Sequence, residues 1–108
     1  MFSLQQNLTA SFILALFFTL SVSAADIVAG EQKAGSCVGC HGQNGISTNA
    51  QWPSLAAQQP AYLINQLKAF KSGNRSNAIM QSMATNLSDE DMNNIGTFFQ
   101  AETCQSNC

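Results

Sequence analysis

SCVGCHGQNG, residues Ser36–Gly45, places two residues between its cysteines and a histidine directly after the second. Thiols and an imidazole at that spacing serve four chemistries: thiol–disulfide exchange, zinc binding, a structural disulfide, or the anchoring of a larger group. His41 is the only histidine in the chain, and two further cysteines, Cys104 and Cys108, stand far along the sequence. The rest of the chain has to choose among the four.

Toward the N-terminus, Ser11–Ala25 reads SFILALFFTLSVSAA, with no charge and a dense apolar middle. Its length suits a secretory h-region and falls short of the roughly 20 apolar residues of a membrane span. Val22-Ser23-Ala24 and Ser23-Ala24-Ala25 both fit a signal-peptidase site. Residues 1–25 therefore read as a signal peptide cleaved after Ala24 or Ala25, although residues 1–11 hold no Lys or Arg and the positive n-region reduces to the amino terminus. An uncleaved N-terminal anchor is the alternative. What remains, roughly 84 residues, reads as one domain at 26–102 with a cysteine-containing tail at 103–108. A domain that small buries a limited core and leans on a staple, a metal or a cofactor. Export to the periplasm places it where free thiols do not persist, so all four cysteines need a role. The formal charge is −2, from 4 basic and 6 acidic residues, with no basic patch. That composition argues against nucleic acid as a partner.

Beyond the motif the chain is poor in β-branched alternation, and the pattern predicts an all-α domain with three main helices. The first spans about Ile27–Ser36 and runs into the cysteine motif. Gly30 and Gly35 weaken it and would admit a close neighbour. The second begins at Pro60, which suits a first turn. Leu63, Leu67 and Phe70 then form a buried stripe, and Gly73 suits the C′ position. The third is capped by Ser88, with Asp89, Glu90 and Asp91 in its first turn. Met92, Ile95 and Phe99 lie on one face with Phe98 adjoining, and the helix ends near Glu102. Two long loops, about 42–59 and 74–87, join these pieces. Loops of that length in a compact domain are usually functional. Three helices with two long loops make a thin core, which something else should fill.

That requirement decides the motif. Thiol–disulfide exchange on a thioredoxin-like frame needs a βαβ pattern, and none is visible. Zinc on Cys37, Cys40, Cys104 and Cys108 would leave His41 and both loops unexplained. A pair of structural disulfides has the same defect. Covalent attachment of a c-type haem uses every part: Cys37 and Cys40 form thioethers, and His41 directs its imidazole at the iron. Gly42–Gly45 then turn the chain away. With no second histidine, the other axial position falls to methionine or stays open. Met1 belongs to the leader, and Met92 lies on the apolar stripe of the third helix. Met80 and Met83, both in the second loop, remain, and spacing does not choose between them.

The segments CVGCHGQNG (Cys37–Gly45), WPSLAAQQPAYLINQLKAFKSGNRSN (Trp52–Asn77), Met80 and LSDEDMNNIGTFF (Leu87–Phe99) resemble class I cytochrome c. The likeness covers residues 26–102. It points to the small bacterial periplasmic type, including single domains of the two-haem "c-four" cytochromes. The resemblance implies an all-α fold around one haem c, with N- and C-terminal helices crossing near it. It implies His41 and a loop methionine as axial ligands. The methionine seven residues before the leucine of Leu-Ser-Asp, here Leu87, is Met80, with Met83 the runner-up. It implies that the Pro53 carbonyl accepts a hydrogen bond from the proximal imidazole. Trp52, Tyr62 and Arg75 become candidate neighbours of the haem edge or propionates, against the plainer roles of core filling and a solvated arginine. The tail cysteines lie outside the family pattern; a mutual disulfide and a bond to a partner both fit them.

The function so implied is one-electron transfer rather than catalysis. The partners are a redox protein donor and acceptor, met transiently by a monomer unless the tail cysteines bridge chains. The alternative is a cytochrome subunit of a periplasmic dehydrogenase or terminal oxidase complex.

Overall fold

The computed structural model describes residues 25–104 and residue 108, so the predicted leader and its cleavage site lie outside the described residues. Among the described residues there are four α-helices and no strand: α1 Ile27–His41, α2 Pro60–Ser72, α3 Ala78–Ala84 and α4 Asp89–Ala101, with a 3-10 turn at Gln43–Gly45. No helix among them is long and apolar enough to cross a membrane.

Two of the three predicted helices stand at the expected places for the expected reasons. Pro60 opens α2, and Gly73 closes it in the left-handed region at φ 81°. Ser88 caps α4 by a reciprocal pair of bonds. The Asp91 backbone N–H donates to the Ser88 hydroxyl at 3.0 Å, and the Ser88 N–H donates to the Asp91 carboxylate at 2.9 Å.

Two expectations need correcting. The first helix does not stop at Ser36 but continues through the cysteine motif to His41, capped at its start by the Asp26 side chain. Glycines weaken an isolated helix, yet α1 gains from packing what it loses in propensity. The second long loop is also not all loop. Asn77 accepts from the Met80 N–H at 2.9 Å and starts α3, so Met80 and Met83 are helical and the fold has four helices rather than three.

The core sits where α1, α2 and α4 meet. Phe99 and Ala34 are fully buried, Met92 and Ile95 nearly so, and Leu63, Leu67 and Phe70 close over them from α2. Met92 is thus a core residue, as its place on the stripe predicts. Burying side chains of this size contributes about 1.5–3 kcal/mol each. α1 and α4 cross in direct contact at Gly30, where a Cβ would stand 2.1 Å from the Asn94 carbonyl oxygen. The buried Asn94 side chain accepts from the Asp26 N–H at 2.8 Å, fixing the start of α1 on α4. Gly35 has open space around its missing Cβ, so the close approach expected there is absent.

Charge ties both α1 and α2 to the start of α4. Lys33 of α1 meets Asp91 at 3.2 Å, and Lys68 of α2 meets Asp89 at 3.3 Å. The Ser88 N–H bond, joined by the Lys33 ammonium, holds the Asp91 carboxyl below the usual carboxylate range. A depressed folded-state pKa stabilises the fold above the unfolded value, about 3.9, and that contribution is lost as pH falls through the folded one. Asp91→Asn keeps an acceptor for the Ser88 N–H but loses the charge facing Lys33 and the helix N-terminus, and should lower stability by about 0.5 kcal/mol at neutral pH. The difference from the parent should shrink as pH falls below the ordinary carboxylate range, as thermal unfolding across pH will show.

Candidate haem site

The C-terminal end of α1 delivers Cys37, Cys40 and His41 to one place, because the helix persists through the motif. Gly42, at φ 90°, ends the helix with its N–H on the Val38 carbonyl. A side chain there would collide with the Ile46 carbonyl. The loop that follows closes on Gly45, whose carbonyl accepts from the Leu55 and Ala56 N–H groups at 2.7 and 3.0 Å. Its far end is held by the Ala57 N–H on the Phe99 carbonyl at 2.8 Å. This loop carries Pro53 over His41, and His41 Nδ1–H donates to the Pro53 carbonyl at 2.7 Å. The ring is buried, its tautomer is set, and Nε2 is left as the nitrogen that can ligate.

A cavity of about 370 Å³ opens beside these groups. Cys37, Cys40, His41, Trp52, Pro53, Tyr62, Arg75, Met80 and Met83 all line it, so every candidate read from the sequence reaches one space. Leu63, Leu67, Phe70, Ile95 and Phe99 give it an apolar floor. Met80 is half-buried and packs against the core cluster, whereas Met83 is 47% exposed. Trp52 and Tyr62 do not fill the core. Both are exposed, at 40% and 49%, and form the cavity rim.

Arg75 is not a freely solvated arginine. Its backbone N–H donates to the Ala69 carbonyl at 3.0 Å, Nη1 donates to the Gln66 amide oxygen at 2.5 Å, and the guanidinium lies 4.5 Å above the Phe70 ring. Gln66 was missed in the sequence. It follows Tyr62 by four residues on α2, so helical spacing from a named candidate would have found it. Asn77 and Ile79 also reach the cavity, and only the existence of α3 shows why.

Cys37 and Cys40 form no disulfide, while Cys104 and Cys108 are joined to each other. Until a haem is attached, burial pushes the Cys37 thiol up, partly offset by the Ser36 hydroxyl. Two unpaired thiols, one imidazole nitrogen and two thioethers around an apolar cavity match the donors that a covalently bound haem requires. They do not make a zinc site, and among the described residues no cluster of three or more His, Cys, Asp and Glu side chains could hold a metal ion.

Comparison with known proteins agrees. The Cytochrome c family pattern matches residues 27–101. The chain belongs to the cytochrome c family. Its cofactor is covalent haem c on the Cys37-x-x-Cys40-His41 motif. It is 39% identical over 82 residues to cytochrome c-554(548) of Halomonas halodenitrificans, covering 73% of this chain and 99% of that protein. It is 38% identical over 97 residues to a cytochrome c4 of Pseudomonas aeruginosa, covering 89% of this chain but only 48% of that one. The chain thus spans about half the length of the cytochrome c4 relative. Among solved structures it superimposes on the thiosulfate dehydrogenase TsdBA of Marichromatium purpuratum with a TM-score of 0.70 and 30% identity, over 75% of this chain and 20% of that one.

Proposed function

We propose that this protein is a periplasmic one-electron carrier whose single haem c is ligated by His41 and Met80. The observation that carries the reading is the His41–Pro53 hydrogen bond, which fixes the ring and frees Nε2 toward a cavity shared with Met80. When bound, haem c supplies the one-electron chemistry. The chain supplies the rest. Cys37 and Cys40 tether, and the Pro53 carbonyl raises the basicity of the imidazole. The Met80 thioether raises the reduction potential, and the apolar floor keeps water away. Arg75 is placed to meet an anionic edge.

Absorption spectra of the oxidised, reduced and carbon monoxide-treated protein test the ligation. The expected result is the long-wavelength ferric band of a methionine–iron bond and no binding of carbon monoxide. Ready binding of carbon monoxide to the ferrous protein would point instead to gas sensing or catalysis at an open site.

The partners are redox proteins met over a small interface through the cavity rim. Trp52, Tyr62, Ile79 and Met83 are its exposed apolar residues, and Arg75 is the one charged side chain lining the cavity among the described residues. The lysines are engaged elsewhere, on Asp91, Asp89 and the Leu87 carbonyl. Electron-transfer rates should therefore change less than about threefold as ionic strength rises from about 0.01 to 0.1 M, a range over which charge-steered pairs slow steeply. The likeness to part of a thiosulfate dehydrogenase supports a second reading, a cytochrome bound to a periplasmic dehydrogenase. Size-exclusion of the native protein separates the two: a free carrier runs as a small monomer, a subunit with its partner.

A further inference from the structure

Residues 77–87 carry Met80 and are thinly held. Among them only Met80, Ala84 and Leu87 are not exposed, so the segment touches the fold along one narrow row, at i, i+4 and i+7. The main packing partner of α3 is α2, and Ala84, the one fully buried member of the row, offers a single methyl. The Asn77 cap and the bonds from the Gln81, Thr85 and Leu87 N–H groups stay within the segment. Among the described residues one hydrogen bond reaches it from another helix. Lys71 Nζ, in the last turn of α2, donates to the Leu87 carbonyl at 2.5 Å.

We propose that Lys71 is a positioning residue for the axial thioether: its bond to Leu87 latches the segment bearing Met80 onto α2 and sets how often Met80 releases the iron. The proposal rests on ligation by His41 and Met80. Segments with few buried contacts open locally, at a free energy well below that of global unfolding. A hydrogen bond from a charged donor is among the stronger single contacts, and little packing competes with it here. The near end of the segment stays on α2 through the Gly73 and Arg75 N–H groups, which donate to the Phe70 and Ala69 carbonyls, so the segment pivots there. The Lys71 ammonium and the Leu87 carbonyl part when it lifts. The Asn77 cap and the bonds within α3 survive that motion, because both partners of each move together. Losing the latch therefore favours the lifted state. Lys68 provides the contrast. It lies three residues earlier on α2, but its partner Asp89 belongs to α4, beyond the segment, so losing that ion pair leaves the latch in place.

The test adds imidazole to the ferric, haem-loaded protein and follows the long-wavelength band as imidazole displaces the thioether. Apparent affinity for such a competitor scales with the fraction of molecules whose segment is lifted. Lys71→Met keeps an apolar stem and removes the ammonium. It should bind imidazole about tenfold more tightly than the parent, as the loss of one charge-assisted bond predicts. Lys71→Arg restores a cationic donor and should stay within about threefold of the parent. Lys68→Met makes the same change in charge and should stay within about twofold. The proposal is overturned if Lys71→Met tightens binding by less than about threefold. It is also overturned if Lys71→Arg behaves like Lys71→Met, or if Lys68→Met tightens binding as much, which would make the effect one of charge alone. A parent protein without the long-wavelength band would overturn the ligation reading, and this proposal with it, before any variant is compared.

Discussion

Met80→Ala should lower the reduction potential by on the order of 0.1–0.3 V, part of the roughly 0.8 V range that axial ligands span, whereas Met83→Ala should leave it nearly unchanged. Both side chains line the cavity, three residues apart on α3, so position along the sequence does not separate them. Their surroundings do. Met80 packs against the core cluster, and its backbone N–H is held by Asn77, which fixes the turn it sits on. Met83 is 47% exposed and one turn further on, where the helix already runs to its last residue, Ala84. A ligand must be held in place to favour the ferrous state, and a half-buried thioether on a capped turn loses less entropy on binding than a solvated one. Cyclic voltammetry of the two variants, with carbon monoxide binding as a second readout, checks the assignment. Loss of the long-wavelength ferric band in Met83→Ala alone would transfer the role to Met83.

The same comparison shows what could be read from the sequence and what could not. Local chemistry was legible. Pro60, Gly73 and the Ser88–Asp91 capping box fix the ends of α2 and α4 through groups within a few residues of one another. The cysteine–histidine spacing marks its own chemistry for the same reason. The continuation of α1 to His41 was not legible, because its glycines are costly in an isolated helix and are compensated only by α4, more than 60 residues away in sequence. Helix α3 was missed because 7 residues give too little periodicity to distinguish a helix from a loop. The pinning of Arg75 by Phe70 and Gln66 depends on the turn after α2, which composition does not specify.

Gly30 and Gly35 read alike in the sequence, and their alanine variants should move stability in opposite directions. In a helix interior, glycine costs about 1 kcal/mol relative to alanine, so propensity alone predicts that both substitutions stabilise α1. At Gly35 nothing lies within 4 Å of the added Cβ, and the full gain should be realised, raising Tm by about 4–8 °C. At Gly30 the Cβ would stand 2.1 Å from the Asn94 carbonyl oxygen and 2.9 Å from the Phe98 Cβ. Those contacts belong to the opposing helix and cannot be relieved by turning a side chain. α1 and α4 have to separate, at a cost of about 1–3 kcal/mol or more for overpacking. Separation also strains the bond from the Asp26 N–H to Asn94, worth about 1 kcal/mol, and would leave a buried amide short of a partner. The clash outweighs the propensity gain, and Gly30→Ala should lose about 2–3 kcal/mol net, a fall in Tm on the order of 10 °C for a domain of this size. Thermal unfolding of the two haem-loaded variants, followed by far-ultraviolet circular dichroism, reads both signs in one experiment. A stabilised Gly30→Ala protein would mean that the two helices do not cross in contact, and the positioning of His41 by α1 would then need another explanation.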